Sequence, residues 1–428
     1  MADAKSPVTP RSVLAAASGN VLEWYDFTVY GFLAPTLATL FFPSDDRFAS
    51  LLSAFAVLAV GYAARPVGSV IFGHIGDRIG RKTALMISVL LMGGGSFAIA
   101  LLPTYEQIGG AAALLLVLIR IVQGISVAGE YTASGVLLVE QARPGRRALT
   151  GAWVAFAMMW GCVLGSAVPA GLSSVLTSAQ MDGWGWRLPF AIGGGVAVFS
   201  AILRRSLTES RPAPDGEGES SPVWQSLRDH LGLIGQMILL LIPTAVIYFV
   251  IYVYAVSYLS AEPGFSSGTA LDITTVNLIV MALFVPICGL AADRFGLRPV
   301  FLAGAVGTLV LAGPCWWLMH RAEPTTVFLG QIGLTLTSTA GWALSITALT
   351  RMAPDHLRCS VVALGYNICL AIFGGTTPMI ATYLVSRTGD DYAPIFYVVA
   401  ATLVSLPVIW RLPKLTGHAF GSGGARNI

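Results

Sequence analysis

Hydrophobic residues along this chain gather into long runs and do not alternate with polar ones. At 1.5 Å per helical residue, about 20 apolar positions cross ~30 Å of hydrocarbon. Runs of that length fall at about 14–42, 48–75, 83–102, 110–140, 148–177 and 188–204. They resume at about 232–260, 272–292, 299–319, 326–351, 359–386 and 394–411. The pattern predicts twelve transmembrane helices in two groups of six. Between the groups lies Arg211-Pro212-Ala213-Pro214-Asp215-Gly216-Glu217-Gly218-Glu219-Ser220-Ser221-Pro222, a composition that favours a flexible linker. The expected division is an N-terminal six-helix bundle over 1–204, a cytoplasmic linker over 205–231, and a C-terminal six-helix bundle with a short tail over 232–428.

Composition sharpens this expectation of an all-α membrane protein. Only 11% of the 428 residues are charged and 55% are hydrophobic, against about 25% charged in soluble domains. Mean hydropathy is +0.74. A net charge of +3 spread over dispersed arginines excludes nucleic-acid binding, because no basic patch is interleaved with stacking aromatics. Cys162, Cys288, Cys315, Cys359 and Cys369 lie in or beside apolar runs with neither metal-ligand spacing nor a disulfide framework. They are expected to be apolar fillers, and neither a metal nor a cofactor is expected.

The cations set an orientation. If the N-terminus is cytoplasmic, the tails, even-numbered loops and linker hold most of the basic residues, Arg204 among them. The outer loops hold only Arg47, Arg187, Arg321 and Arg387. That bias places both termini in the cytoplasm. Arg65 and Arg120 remain, and both fall inside predicted spans.

Those two arginines have acidic counterparts. The first span contains Gly19-Asn20-Val21-Leu22-Glu23-Trp24-Tyr25-Asp26-Phe27-Thr28-Val29-Tyr30-Gly31. A charge at the centre of a membrane helix costs roughly 2.5–3.5 kcal/mol on insertion scales, which marks it as functional by default. At about 100° per residue, Glu23, Asp26 and Tyr30 share one face. That face needs a cationic partner or a water-filled cavity. The halves also repeat: Gly76-Asp77-Arg78-Ile79-Gly80-Arg81-Lys82 is echoed by Ala292-Asp293-Arg294-Phe295-Gly296-Leu297-Arg298, and Arg147 by Arg358. Duplicated six-helix halves are the layout of secondary transporters, with a midplane site between them.

With these residues the chain resembles the major facilitator superfamily. Gly76 to Lys82 matches its G-D-R-x-G-R-K loop. Arg120-Ile121-Val122-Gln123-Gly124-Ile125-Ser126-Val127-Ala128-Gly129-Glu130-Tyr131 resembles its fourth-helix motif, with Ala128 in place of a glycine. The first-span pattern and Asp182-Gly183-Trp184-Gly185-Trp186-Arg187-Leu188-Pro189-Phe190 narrow the likeness to the metabolite:proton symporter branch, which carries citrate, 2-oxoglutarate, shikimate, proline and betaine. The resemblance implies proton-coupled uptake of a small polar metabolite across a bacterial inner membrane.

Roles are then expected residue by residue. Asp26 and Glu23 exchange protons, with Asp26 slightly favoured as the deeper, or form a fixed structural pair with Arg120 or Arg65, and Arg120 gates the proton site or binds a substrate carboxylate. Glu130 either relays protons or holds an interhelical bond. Arg65 binds substrate or forms a salt bridge to Glu130 or Asp26. Gln123, Tyr30, Asn20, Tyr366 and Asn367 complete the expected substrate contacts. The resemblance implies a cytoplasmic latch of Asp77, Arg78 and Arg81 with Arg147, echoed by Asp293 and Arg358. The expected cargo is a small organic anion, a di- or tricarboxylate such as citrate. A zwitterion such as proline or betaine is the alternative, and a non-transporting receptor the remote one. An enzyme is not expected, because the histidines lack catalytic spacing. A monomer in the lipid bilayer is expected, with protons and substrate as its partners.

Overall fold

The computed structural model describes residues 10–79, 81–205, 226, 228–260, 265–321 and 323–416. Twelve helical spans run through them. Span α1 is Pro10–Phe32, continued past a break at Leu33 by Ala34–Phe41. Span α2 joins Arg47–Ala63 to Arg65–Arg78, and the Asp46 side chain caps its start by accepting from the Phe48 amide at 2.8 Å. Span α3 is Arg81–Leu101, and α4 joins Gly110–Ser126 to Glu130–Gln141. Spans α5 (Arg147–Val175) and α6 (Arg187–Arg205) finish the first half. The second half holds α7 (Leu231–Leu259), α8 (Ser267–Phe295), α9 (Leu297–Met319), α10 (Pro324–Met352), α11 (Arg358–Thr388) and α12 (Ala393–Thr416).

Ten helices among the described residues are long and apolar enough to cross a membrane by themselves. Span α6 joins them through a lead-in bent by 46°, and α1, which carries the two carboxylates, is the twelfth. Large apolar side chains such as Leu101, Val175, Val310 and Phe396 face outward, as lipid contact requires.

Breaks in the spans coincide with sequence causes. Pro66 sits in the first turn of the second part of α2, where its missing N–H leaves no helical bond unmade. A wider π turn at Phe249–Tyr254 interrupts α7, and another at Leu370–Gly374 interrupts α11. Such turns re-aim side chains and cluster at functional sites.

Among the described residues the halves meet where α5 packs on α8 and α10, α2 on α11, α1 on the π turn of α7, and α4 on α10 and α11. They touch at both membrane faces. On one side Thr275 donates to Ser166 at 2.7 Å. On the cation-rich side, both Asp293 oxygens accept from the Ala148 and Leu149 amides at 2.9 and 3.0 Å. Inside the first half, a Cβ on Gly124 would lie 1.9 Å from the Gly61 carbonyl oxygen. Only glycine lets α2 and α4 approach so closely, and that approach brings Arg65 and Arg120 beside α1.

Candidate functional site

Among the described residues of the first half, three carboxylates are buried, and each meets a buried guanidinium. Glu23 on α1 accepts from Arg65 on α2 at 2.7 Å, with the two side chains 2% and 1% exposed. Asp26, one helical turn on, accepts from Arg120 on α4 at 2.7 Å, both fully buried. Glu130 on α4 takes both Arg204 amino groups, at 2.7 and 2.8 Å. Taking such charges out of water costs several kcal/mol per ion, so each pair must be closely complemented to persist.

The complementation differs among the three. Asp26 is saturated. Its Oδ2 accepts from Arg120 and from Gln123 at 3.0 Å, and its Oδ1 accepts from Ser96 on α3. Glu130 gains a third donor, the Ser88 hydroxyl at 3.0 Å. Glu23 is half-satisfied: its Oε2 is buried with no hydrogen-bond partner. Both central arginines also keep donors in reserve, since Nε and Nη2 of Arg65 and of Arg120 are buried and unpartnered.

Aromatic rings surround these groups. The Arg65 guanidinium lies 4.4 Å from the Phe27 ring centre and 4.3 Å from that of Tyr62. Arg120 lies 4.1 Å from the Tyr30 ring. Such face-on contacts stabilise a cation by about 0.5–2 kcal/mol. Across the half-interface Tyr62 meets Phe249 edge-on at 5.5 Å, and Phe249 packs on Tyr248. Tyr248 then joins Trp24 and Trp342 in a mutually edge-packed trio with centroids 5.3–6.1 Å apart. The indole nitrogens of Trp24 and Trp342 are buried without acceptors. Gly375 permits the approach of α11, because a Cβ there would lie 2.7 Å from the Tyr62 ring.

The remaining expected residues separate by position. Tyr30 spends its hydroxyl on the Ala54 carbonyl at 3.0 Å and offers only its ring to the site. Asn20 donates to Ser134 at 3.3 Å. Tyr366 stacks on Tyr131 at 4.7 Å, and its hydroxyl is buried and unpartnered. Asn367 bridges the halves, donating to Ser69 at 3.1 Å and to the Ala128 carbonyl at 2.7 Å. Its amide nitrogen is thus committed to the seam instead of being offered to a substrate. Arg358 pairs with Glu140 on α4 at 2.6 Å and with the neighbouring Asp355. Arg147 lines a small cavity with Asp293 and Arg351. The side chains of Asp77, Arg78 and Arg81 lie outside the described residues.

Two expectations need correcting. Arg65 bonds Glu23, and not Glu130 or Asp26, because Glu23 and Arg65 face each other where α1 crosses α2. Arg204 is not a loop cation: it is 1% exposed inside α6 and holds Glu130. Its place beside Arg205 at the end of an apolar run hid it. Ser96, Ser88, Glu140, Trp24 and Trp342 were also missed. A search for the partner of Glu130 could have exposed Arg204. A lone serine or tryptophan within an apolar run carries no such signal.

Comparison with known proteins agrees with this architecture. The chain matches the Major Facilitator Superfamily profile over residues 16–271 and 237–423. It is 33% identical over 410 residues to the glycine betaine/proline/ectoine/pipecolic acid transporter OusA of Dickeya dadantii (strain 3937), covering 92% of this chain and 81% of that one. It is 33% identical over 417 residues to the proline/betaine transporter of Escherichia coli (strain K12), covering 92% and 82%. Among solved structures, a D-xylose-proton symporter superposes with a TM-score of 0.76 at 19% identity, covering 96% of this chain and 99% of that one. The chain is therefore no enzyme but a multi-pass membrane protein that belongs to the Major Facilitator Superfamily.

Proposed function

We propose that the protein is a proton-coupled symporter for a small zwitterion of the betaine or proline type. One observation carries this reading: every buried guanidinium at the centre of the first half already has its own carboxylate. The organic-anion expectation relied on Arg65 and Arg120 as free positive charges. Paired with Glu23 and Asp26, they leave the centre electrically balanced, which suits a cargo without net charge. The names of the relatives point the same way.

A zwitterion's two ends find matching chemistry here. The unpartnered Nε and Nη2 of Arg65 suit its carboxylate. The Trp24, Tyr248 and Trp342 faces suit an alkylated ammonium once the halves part and the rings separate. The half-satisfied Glu23 is the better proton carrier. A proton on Oε2 adds a donor where none now stands and weakens the hold on Arg65, which frees that guanidinium for substrate. Asp26, with both oxygens occupied, acts as the fixed counter-charge that positions Arg120.

Alternating access follows from the seams. Asn367, the Tyr131–Tyr366 stack, the Arg358–Glu140 pair and the Asp293 cap close the cation-rich side. We assign that side to the cytoplasm of a bacterial inner membrane, with six-helix bundles at 1–204 and 232–428 rocking as a monomer about the linker.

The test is proton influx into liposomes carrying purified protein and an internal pH dye, with glycine betaine, proline, citrate and succinate added separately. Glycine betaine or proline should acidify the lumen. Acidification by a carboxylate alone would restore the organic-anion reading, and substrate exchange without a proton signal would refute the coupling.

A further inference from the structure

A second cationic centre lies away from the midplane, at the cation-rich end of the second half. A cavity of about 510 Å³ opens between the α8–α9 turn and the ends of α10 and α12, lined by Arg298, Arg351, Leu302, Leu412 and Thr416 among others. An adjoining cavity of about 270 Å³ shares Gly296, Leu297 and Arg351 with it and adds Arg147 and Asp293.

Charge does not balance here as it does at the midplane. Among the described residues, the larger cavity is lined by Arg298 and Arg351 and by no carboxylate, while the adjoining one adds Asp293. Both Asp293 oxygens already accept from the Ala148 and Leu149 amides. The Arg351 Nε is buried without a hydrogen-bond partner. Arg298 rests 3.9 Å over the ring of Trp410, and that ring is 63% exposed on the outer wall of the bundle. Phe295, another wall of the cavity, is equally exposed. The cavity thus joins a guanidinium cluster to an apolar, aromatic surface at membrane-interface depth.

We propose that this cavity binds a phosphate-bearing anion, the headgroup of an anionic phospholipid. Guanidinium forks match phosphate oxygens, and basic pockets between helices at the cytoplasmic interface take such headgroups. Acyl chains would run along Phe295, Leu302 and Trp410. Because Arg351 lines both cavities, the bound phosphate also offsets its charge beside the seam that Asp293 caps. Occupancy therefore favours closure of the cation-rich face.

Native mass spectrometry of protein released from mixed phosphatidylglycerol and phosphatidylcholine nanodiscs provides the test. The wild type should retain phosphatidylglycerol in preference, and R298Q/R351Q should lower that retention about ten-fold or more for two lost basic contacts. The outer-face control R321Q/R387Q should not. Equal retention by R298Q/R351Q would overturn the proposal. Should that variant fail to fold, quenching of Trp410 decides, read as the difference between wild type and W410F. Brominated phosphatidylglycerol should quench it more strongly than brominated phosphatidylcholine, and equal quenching would overturn the proposal. Millimolar inorganic phosphate separates the sources of the anion. If it stabilises the wild type in phosphatidylcholine nanodiscs but not R298Q/R351Q, while lipid retention is equal in both, the ligand is free phosphate and the headgroup assignment fails.

Discussion

Glu23 gives one carboxylate oxygen to Arg65 at 2.7 Å and keeps the other buried without a donor. One turn along the same helix, Asp26 has donors on both oxygens. Two acids of nearly equal depth thus have opposite capacities. A proton arriving at Asp26 displaces hydrogen bonds, whereas one arriving at Glu23 takes an oxygen that carries none.

Glu23→Gln should therefore separate transport from its driving force. The amide mimics the protonated acid. Exchange of labelled glycine betaine across liposomes should stay within about three-fold of wild type, while accumulation driven by a pH gradient falls at least about ten-fold, a loss near 1.4 kcal/mol of coupling. Wild-type uptake should rise as external pH falls, since the outward-facing carboxylate must load a proton, and the variant's uptake should be flat with pH. A variant that still accumulates substrate with the wild-type pH slope removes Glu23 from the proton path.

Asp26→Asn should act on stability. It leaves Arg120 buried at full charge with only a neutral amide to meet it. Breaking one partner of a buried pair costs about 3–5 kcal/mol. Thermal unfolding in detergent should show a drop in Tm for both variants, since Glu23→Gln leaves Arg65 uncompensated too, with the larger drop for Asp26→Asn, whose amide NH2 must meet donors where that of Glu23→Gln replaces an oxygen that has none. Equal drops would show that the two pairs are equivalent and that the free oxygen of Glu23 has no special meaning.

Substitution of Trp342 tests the aromatic trio. Trp342→Phe keeps a ring with a weaker quadrupole, and Trp342→Leu keeps only apolar bulk. At about 0.5–2 kcal/mol for a desolvated cation on an aromatic face, glycine betaine should bind several-fold more weakly to the Leu variant, with Phe intermediate. A Kd series from tryptophan fluorescence or calorimetry reads this directly. An unchanged Kd for Trp342→Leu would place the ammonium elsewhere.

The twelve spans and the acid–arginine content of the site were legible in the sequence because both rest on strong one-residue signals. A run of apolar residues must cross the bilayer, and a charge within it must have a partner. Which acid meets which arginine was not legible, since that depends on how closely helices approach. Gly61 and Gly124 set the α2–α4 distance through a missing Cβ. Arg204 was concealed because an arginine at the end of a span reads as a topology signal whether it faces water or turns inward. Its partner Glu130 lies 74 residues away. The aromatic trio draws one ring each from α1, α7 and α10, with no spacing rule linking them.

Gly19 connects that hidden pair to the first helix. A Cβ at this position would lie 1.8 Å from Arg204 Nη2 and 2.0 Å from Glu130 Oε2. Gly19→Ala should therefore prise the pair apart despite the helix propensity of alanine, which alone would favour it by about 1 kcal/mol. The expected outcome is a lower Tm than wild type, partly recovered when Glu130→Gln and Arg204→Gln remove the charges together. A Gly19→Ala protein as stable as wild type would mean that α1 and α4 yield at this contact.

The cation-rich seam offers a last test through the cysteines. Cys162 is fully buried on α5, while Cys359 is exposed. Arg358 ties α11 to α4 through Glu140, whose side chain is 30% exposed, so solvent screens the pair. Partly exposed pairs contribute up to ~1 kcal/mol, enough to shift a two-state opening about five-fold. In a Cys359→Ser background, Glu140→Gln should raise the rate of Cys162 labelling by a membrane-permeant maleimide by about that factor, and substrate should modulate it. If labelling stays at the wild-type rate, the Arg358–Glu140 pair is an ornament of the closed state, and the seam is held by Asn367 and the Asp293 cap.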